Sequence, residues 1–199
     1  LIPPIIILSS FYYLFFNFNY WQKLFQKSEV YQTFTKEDAD QKAENVLGFY
    51  KNKNVLEKNF FSGQAILHLT DVKRALYLSV GYFSLSLSAL LIITSILFIK
   101  KKAKLFLFSL AVGSGFTALL ISALGLGLTK GFNQLFLIFH KKVFSNDLWL
   151  FPPDDNLVKL FPTQFFVFFA NRLAIQIILT SLVISILTFL VRKKLYDSA

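Results

Sequence analysis

His68 and His140 are the only two histidines in a chain of 199 residues that contains no cysteine. An imidazole titrates near neutral pH and can take a proton and return it within one reaction, as acyl transfer requires. Without cysteine there are no disulfides, no thiolate nucleophiles and no cysteine metal sites. Each histidine closes an apolar stretch. His68 has Asp71 three residues on, and His140 is followed by Lys141 and Lys142. Both read as candidate acid–base groups, and the bland alternative is a pair of interfacial aromatics, hydrogen-bonded and inert. Two histidines with Asp71, Asp147 or Asp155 are a further option as a metal site, although protein-only zinc sites usually take three or four ligands. No metal and no cofactor are expected. The candidates sit among Phe, Leu and Trp, so a soluble substrate is not expected either.

The elements that hold these residues are apolar. Hydrophobic residues make up 55% of the chain, Phe occurs 25 times, and charged residues are only 16%. A soluble domain carries about 25% charged residues, and disorder needs low hydrophobicity, so neither class fits. Ala75 to Ile99 and Leu105 to Thr129 are uncharged runs of 25 residues each, and Leu173 to Val191 is one of 19. Each meets the roughly 20 residues that a helix needs to cross the bilayer core. Leu1 to about Asn19 is also uncharged, and Pro3 and Pro4 suit a helix start. A cleaved signal peptide is the rival reading there, but the run lacks a basic leader and a small-residue cleavage end. The numbering begins at Leu1, so an initiator residue and a short leader are expected to lie before it.

The net charge of +10 has its clearest pattern in two dense clusters, Lys100–Lys102 with Lys104, and Arg192 with Lys193 and Lys194. Each follows directly on an apolar run. That is the layout of positive-inside flanks rather than of a nucleic-acid groove. The expected fold is therefore all-α: a four-helix transmembrane bundle forming a single integral membrane domain. Its spans are 1–19, 75–99, 105–129 and 165–191, with both termini and the basic clusters cytoplasmic. Residues 20–74 and 130–164 are then extracytoplasmic segments with short amphipathic, interfacial helices. Small residues in the third span (Gly113, Gly115, Gly125, Gly127) suit close helix packing in lipid, and Gly125 to Gly131 offers a place for the helix to loosen.

In the first outer segment, Thr35 with Asp38 resembles a capping box, and Ala39, Ala43, Val46 and Leu47 then recur at helical spacing. Phe49 and Tyr50 are expected to anchor in the interface. The second outer segment alternates aromatics with isolated polar groups. Pro152 and Pro153 are expected to stop a short helix and Pro162 to start the next. Arg172, inside or snorkelling from the last span, is a functional-site candidate whose partner is a lipid phosphate or a carboxylate.

"HLTDVK" (68–73), followed by a span, and "FHKKVFSNDLWLFPPDDNLVKLFPTQFF" (139–166) resemble the bacterial lipoprotein intramolecular transacylases (Lit), a four-span membrane family. His140, Phe144, Asn146, Trp149, Asp155, Phe161 and Pro162 carry the more specific part of that resemblance. It implies a substrate lipoprotein whose N-terminal cysteine bears an S-linked diacylglyceryl group. The sn-2 acyl chain would move to that cysteine's own α-amino group, giving the lyso form. On this reading His140 is the general base and acid, and His68 orients the amine or polarises the carbonyl, held by Asp71, with exchange of the two roles left open. The second imidazole, Asn146, Trp149 or a backbone N–H donates to the oxyanion. Asp155 binds the ammonium or fixes a tautomer, and Lys73 or Arg172 meets lipid or peptide backbone. The expected partners are the diacylated lipoprotein and membrane lipids, with no nucleic acid, and the protein is expected to act as a monomer with its site at the extracytoplasmic face of a bacterial cell membrane. The alternatives are a membrane-lipid O-acyltransferase or lipase, and a non-enzymatic scaffold or transporter subunit.

Overall fold

The computed structural model describes residues 1–197, with side chains throughout except at 126–130 and 195–197, where Gly127 of the small-residue set falls. The described residues form helices α1 (Ile2–Phe15), α2 (Phe18–Lys27), α3 (Val30–Thr33), α4 (Lys36–Tyr50), α5 (Gly63–Ile99), α6 (Ala103–Val143), α7 (Asn156–Leu160) and α8 (Thr163–Asp197). Three of them contain stretches long and apolar enough to cross a membrane: Gly63–Ile99, Ala103–Gly125 and Thr163–Lys194. The chain divides into two compact units.

One unit comprises Leu1–Tyr12, Ser79–Lys130 and the chain from Asn171 onward. Its polarity is inverted relative to a water-soluble bundle. Ser86, Ser114, Thr117, Ala118 and Ser181 are buried, while Leu91, Ile92, Leu119, Leu182 and Leu187 face outward. Lipid offers no hydrophobic force between helices, so small residues that permit close approach go inside and large apolar ones go to the acyl chains. The contacts follow that rule. Tyr12 and Ser79 share a hydrogen bond of 2.9 Å between α1 and α5. Ser185 Oγ donates to the Ala111 carbonyl at 2.9 Å between α8 and α6. A Cβ at Gly113 would lie 2.6 Å from Ile2 Cδ1, whereas one at Gly125 would meet nothing within 4 Å. Close packing therefore explains Gly113 and not Gly125.

The other unit, Tyr13–Leu78 with Gly131–Ala170, has a core like that of a soluble domain. Trp21, Leu24 and Phe25 of α2 pack with Ala39, Ala43, Val46 and Leu47 of α4, with Ala65 and Leu69 of α5, and with Leu157, Leu160 and Phe165. The α4 face matches the one that the sequence spacing marks. Thr35 caps α4 by accepting from the Asp38 N–H at 3.2 Å, and its hydroxyl donates to the Asp38 carboxylate at 2.9 Å.

Four expectations change. The first apolar run does not form one helix to residue 19, because α1 stops at Phe15. Asn17 then caps α2 by accepting from Tyr20 N–H at 3.2 Å, and α2 leaves at a 75° bend. At 1.5 Å per residue, 14 residues reach about 21 Å, less than the roughly 30 Å hydrocarbon core, so α1 crosses only if it and α2 together count as one broken span. Tyr50 is buried against Phe15, with ring centroids 5.7 Å apart, rather than anchored at an interface. Pro152 and Pro153 stop no helix, since α6 has already ended at Val143, and the Pro152 carbonyl instead closes a turn by accepting from Asp155 N–H at 3.1 Å. Pro162 lies one residue ahead of α8 rather than within its first turn. The loosened stretch near the end of the third span takes the form of non-helical backbone angles at Gly131. Past that residue the helix resumes and carries His140.

Candidate functional site

His68 lies in the second turn of α5, and His140 is the fourth residue from the end of α6. Their ring centroids are 6.1 Å apart, with planes inclined by 30°. Both are at least nine-tenths buried, at 8% and 7% exposed, and both belong to the unit with the soluble-type core. Aromatic rings surround the pair. Phe144 and Phe151 lie 5.1 and 5.6 Å from His68, while Phe136 and Trp149 lie 4.0 and 5.0 Å from His140.

The environments of the two imidazoles differ. His140 Nδ1 is 2.8 Å from the carbonyl oxygen of Phe136, one helical turn earlier. A carbonyl only accepts, so Nδ1 carries the hydrogen and, in the neutral ring, the lone pair sits on Nε2. Burial pulls the His140 pKa below its ordinary 6.5, and the bond to Phe136 opposes that only in part, so the ring is neutral at pH 7. His68 Nδ1 is buried and has no hydrogen-bond partner among the described residues. A buried polar atom without a partner costs about 1–3 kcal/mol, and such a group in a site is matched when something else binds there.

The segment 144–156 is tied to the segment 60–71, which leads into α5 and forms its first turns, at four points. Asn156 Nδ2 donates to the Phe60 carbonyl at 2.9 Å. Ser62 Oγ donates to Asp155 Oδ2 at 2.9 Å. Gln64 Nε2 donates to the carbonyls of Leu148 and Leu150 at 3.1 and 2.8 Å. Asn146 Nδ2 donates to Asp71 Oδ2 at 2.9 Å. Asn146 also accepts from the Leu148 N–H through its side chain, at 3.1 Å, and from the Trp149 indole through its main-chain carbonyl, at 2.9 Å. A chain of contacts thus runs from Asp71 through Asn146 and Trp149 to the His140 ring.

These bonds revise several roles. Asp71 accepts from Asn146, not from an imidazole. Asp155 spends one oxygen on Ser62 and the other on capping α7, accepting from Leu157 N–H at 2.8 Å, so in this arrangement it positions the loop and holds no tautomer. The single Trp149 N–H is taken, which removes it as an oxyanion donor, while Asn146 keeps one amide hydrogen beyond the one given to Asp71. Lys73 Nζ lies 4.0 Å above the Phe49 ring, a cation–π contact. Arg172 is exposed on α8 and belongs to the other unit. Among the described residues no three His, Asp or Glu gather where a metal ion would sit. Gln64, Ser62, Phe136 and Phe151 are functional neighbours that the motif reading passed over. Gln64, His68 and Asp71 share one helical face at i, i+4 and i+7, and that polar stripe in an apolar helix is the signal that points to them.

A multi-span helical membrane protein with a buried imidazole pair in an aromatic setting is a narrow class. The chain belongs to the lipoprotein intramolecular transacylase family Lit, whose family model matches residues 1–166. Among solved structures it is similar to the membrane-integral lipoprotein intramolecular transacylase Lit from Bacillus cereus, with a TM-score of 0.80 and 22% identity over 99% of this chain and 91% of that one. A variant of the same protein with one histidine replaced by alanine gives a TM-score of 0.75 at 23% identity, over 99% and 89% of the two chains. An uncharacterized protein of Aquifex aeolicus (strain VF5) is 28% identical over 109 residues, 54% of this chain, and the chain spans 47% of that relative's length.

Proposed function

We propose that this chain moves the sn-2 acyl chain of a diacylglyceryl-cysteine lipoprotein onto the α-amino group of the same cysteine. The observation that carries this reading is the buried pair of imidazoles 6.1 Å apart, one with its tautomer set by a main-chain carbonyl and the other with an unpartnered nitrogen. Membership of the transacylase family supports the substrate class.

The substrate arrives with an α-ammonium of pKa near 8. His140 Nε2 takes one of its protons, and the amine lone pair attacks the sn-2 ester carbonyl. Attacking and attacked groups are in one molecule, so holding them in contact supplies much of the rate. The tetrahedral oxyanion is met by the N–H of His68 and the remaining amide hydrogen of Asn146. Collapse breaks the ester C–O bond and leaves the new C–N amide bond. His140 releases its first proton to solvent, takes a second from the attacking nitrogen and passes that one to the departing glyceryl oxygen, so one proton is given off overall. No water is consumed, no acyl-enzyme forms, and the enzyme ends as it began. The surrounding Phe side chains keep water from the ester, which favours transfer over hydrolysis. All the residues used come from one chain, so a monomer suffices. With the basic clusters cytoplasmic, the alternation of spans along the sequence assigns the two histidine-bearing segments to the extracytoplasmic side.

Substrate and product are isomers of equal mass, so the test must locate the acyl group. A synthetic diacylglyceryl lipopeptide incubated with the purified protein is expected to lose its amine reactivity, and its N-terminal fragment ions should gain one acyl mass. Release of free fatty acid with the amine still reactive would make the protein a lipase and overturn the proposal.

A further inference from the structure

Asp71 is a charged side chain to which the reaction as written gives no part. It follows His68 by three residues on α5, one helical turn along the same face. It is half-buried, in the unit that holds both histidines. Its Oδ2 accepts from Asn146 Nδ2 at 2.9 Å. Among the described residues its Oδ1 accepts no hydrogen bond and the carboxylate forms no ion pair. The cations that follow it on α5 do not serve it. Lys73 Nζ lies 4.0 Å above the Phe49 ring, and Arg74 is exposed. A carboxylate drawn out of water calls for a cation or for several donors. One amide hydrogen fills only one of its roughly four lone-pair sites.

A second observation points the same way. His68 Nδ1 is buried and unpartnered, in a residue only 8% exposed, although Asp71 stands one turn away. The carboxylate takes the amide of Asn146 and leaves the imidazole nitrogen open. Two polar groups on successive turns are thus left for what the substrate brings. The proposed reaction brings two polar groups together, an ammonium and an ester carbonyl. An imidazole N–H suits the carbonyl oxygen and a carboxylate suits the ammonium. Three residues of helix separate the two positions by about 4.5 Å along the axis, so groups bound to them lie side by side, as an amine and the carbonyl it attacks must.

We infer that Asp71 receives the α-ammonium of the substrate on Oδ1, while Asn146 fixes the carboxylate through Oδ2. The inference rests on the proposed reaction for the identity of the cation. One ammonium N–H stays on Asp71 while His140 Nε2 takes another proton, and the neutral amine still donates to the carboxylate as it attacks. Asp71 thereby takes the ammonium role that the family resemblance gave to Asp155, whose two oxygens accept from Ser62 and Leu157.

Two dialkylglyceryl lipopeptides test this, because with ethers in place of esters they bind without reacting. One carries the cysteine α-amine, and the other has hydrogen in its place. Their affinities for the purified full chain in detergent at pH 7, measured by microscale thermophoresis, should differ about tenfold in favour of the amine, as one charge-assisted hydrogen bond would give. Asp71→Asn keeps an oxygen for Asn146 and loses the charge. It should bind the desamino ligand as the parent does, and the amine no better than that. A structural role alone would weaken both ligands alike. If Asp71→Asn does not fold, Asp71→Glu should keep a preference for the amine and Asp71→Ser should lose it. Equal affinities in the parent, a preference that survives Asp71→Asn, or equal weakening of both ligands would overturn the inference. An amine preference that depends on Asp71, in a protein that releases free fatty acid from the ester lipopeptide, would uphold the ammonium site and overturn the transfer reaction instead.

Discussion

His140 and His68 are the same residue type in one site, yet their neighbours suit them to different work. His140 has its Nδ1 hydrogen on the Phe136 carbonyl and therefore a basic Nε2, while His68 has an unpartnered Nδ1. Replacing His140 by alanine is expected to slow transfer by about 10²–10⁴-fold, the usual worth of a positioned general base, while the protein still inserts and keeps its melting temperature within a few degrees. The pH profile separates a base from a merely structural ring. His140 lies below its ordinary 6.5, so lowering the pH protonates and disables it only below that value. The substrate ammonium loses its proton near about 8. A reaction that needs neutral imidazole and bound ammonium therefore follows a bell in kcat/KM, with its acid limb below 6.5. The His140→Ala protein must use amine that is already free, and its residual rate should climb through pH 8 instead of falling. A bell unchanged in that variant would remove His140 from the proton transfer. Asn146→Ala leaves Asp71 without its donor and the following loop without its anchor. A hydrogen bond to a charged group is worth about 1.5–3 kcal/mol, so the variant should lose about that much stability. It should also shift the fluorescence of Trp149, one of only two tryptophans, and lower kcat more than it raises KM.

The helices matter to the site unequally. The entry to α5 and its first turns act as a bracket, with Ser62, Gln64 and Asp71 each holding part of the loop that carries Asn146 and Trp149. Gln64→Ala removes two side-chain hydrogen bonds to main-chain carbonyls, about 0.5–1.5 kcal/mol each. Transfer should fall several-fold or more in that protein, with increased hydrogen exchange confined to 144–155. The cap of α4 is of comparable energy but different consequence. Thr35→Ala should cost about 1 kcal/mol, as loss of a helix N-cap usually does, and leave transfer per folded molecule unchanged, because Thr35 makes no contact with the histidine site. Chemical denaturation read beside the lipopeptide assay distinguishes the two cases. If Thr35→Ala impaired transfer as much as Gln64→Ala does, the loop bracket would not be what positions the site.

At the scale of the whole chain, uncharged length and basic flanks were enough to find α5, α6 and α8, because those features are summed over some twenty residues and survive local detail. The face Ala39, Ala43, Val46 and Leu47 was equally legible, since a helix packed on a core repeats its apolar positions. Hydropathy did not show that α1 ends at Phe15, because that depends on one side chain, Asn17, capping the next helix. Nor did spacing show that Asp155 caps α7 or that Trp149 spends its N–H on Asn146, for those are choices among partners brought close only by the fold. The chain lacks cysteine, so its orientation can be read from single cysteines placed at exposed positions. With the basic clusters cytoplasmic, Lys53→Cys and Ser145→Cys should react with a membrane-impermeant maleimide added to intact cells, whereas Lys193→Cys should react only after permeabilisation. The two outer positions are the informative pair, because the segments that bear them flank the two histidines along the chain. A lipoprotein displays its modified N-terminus at the outer leaflet, where an acyl acceptor must meet the imidazoles. Labelling of Lys193→Cys from outside, with Ser145→Cys protected, would put the site on the side of the membrane where that substrate is absent, and the proposed reaction would fail with it.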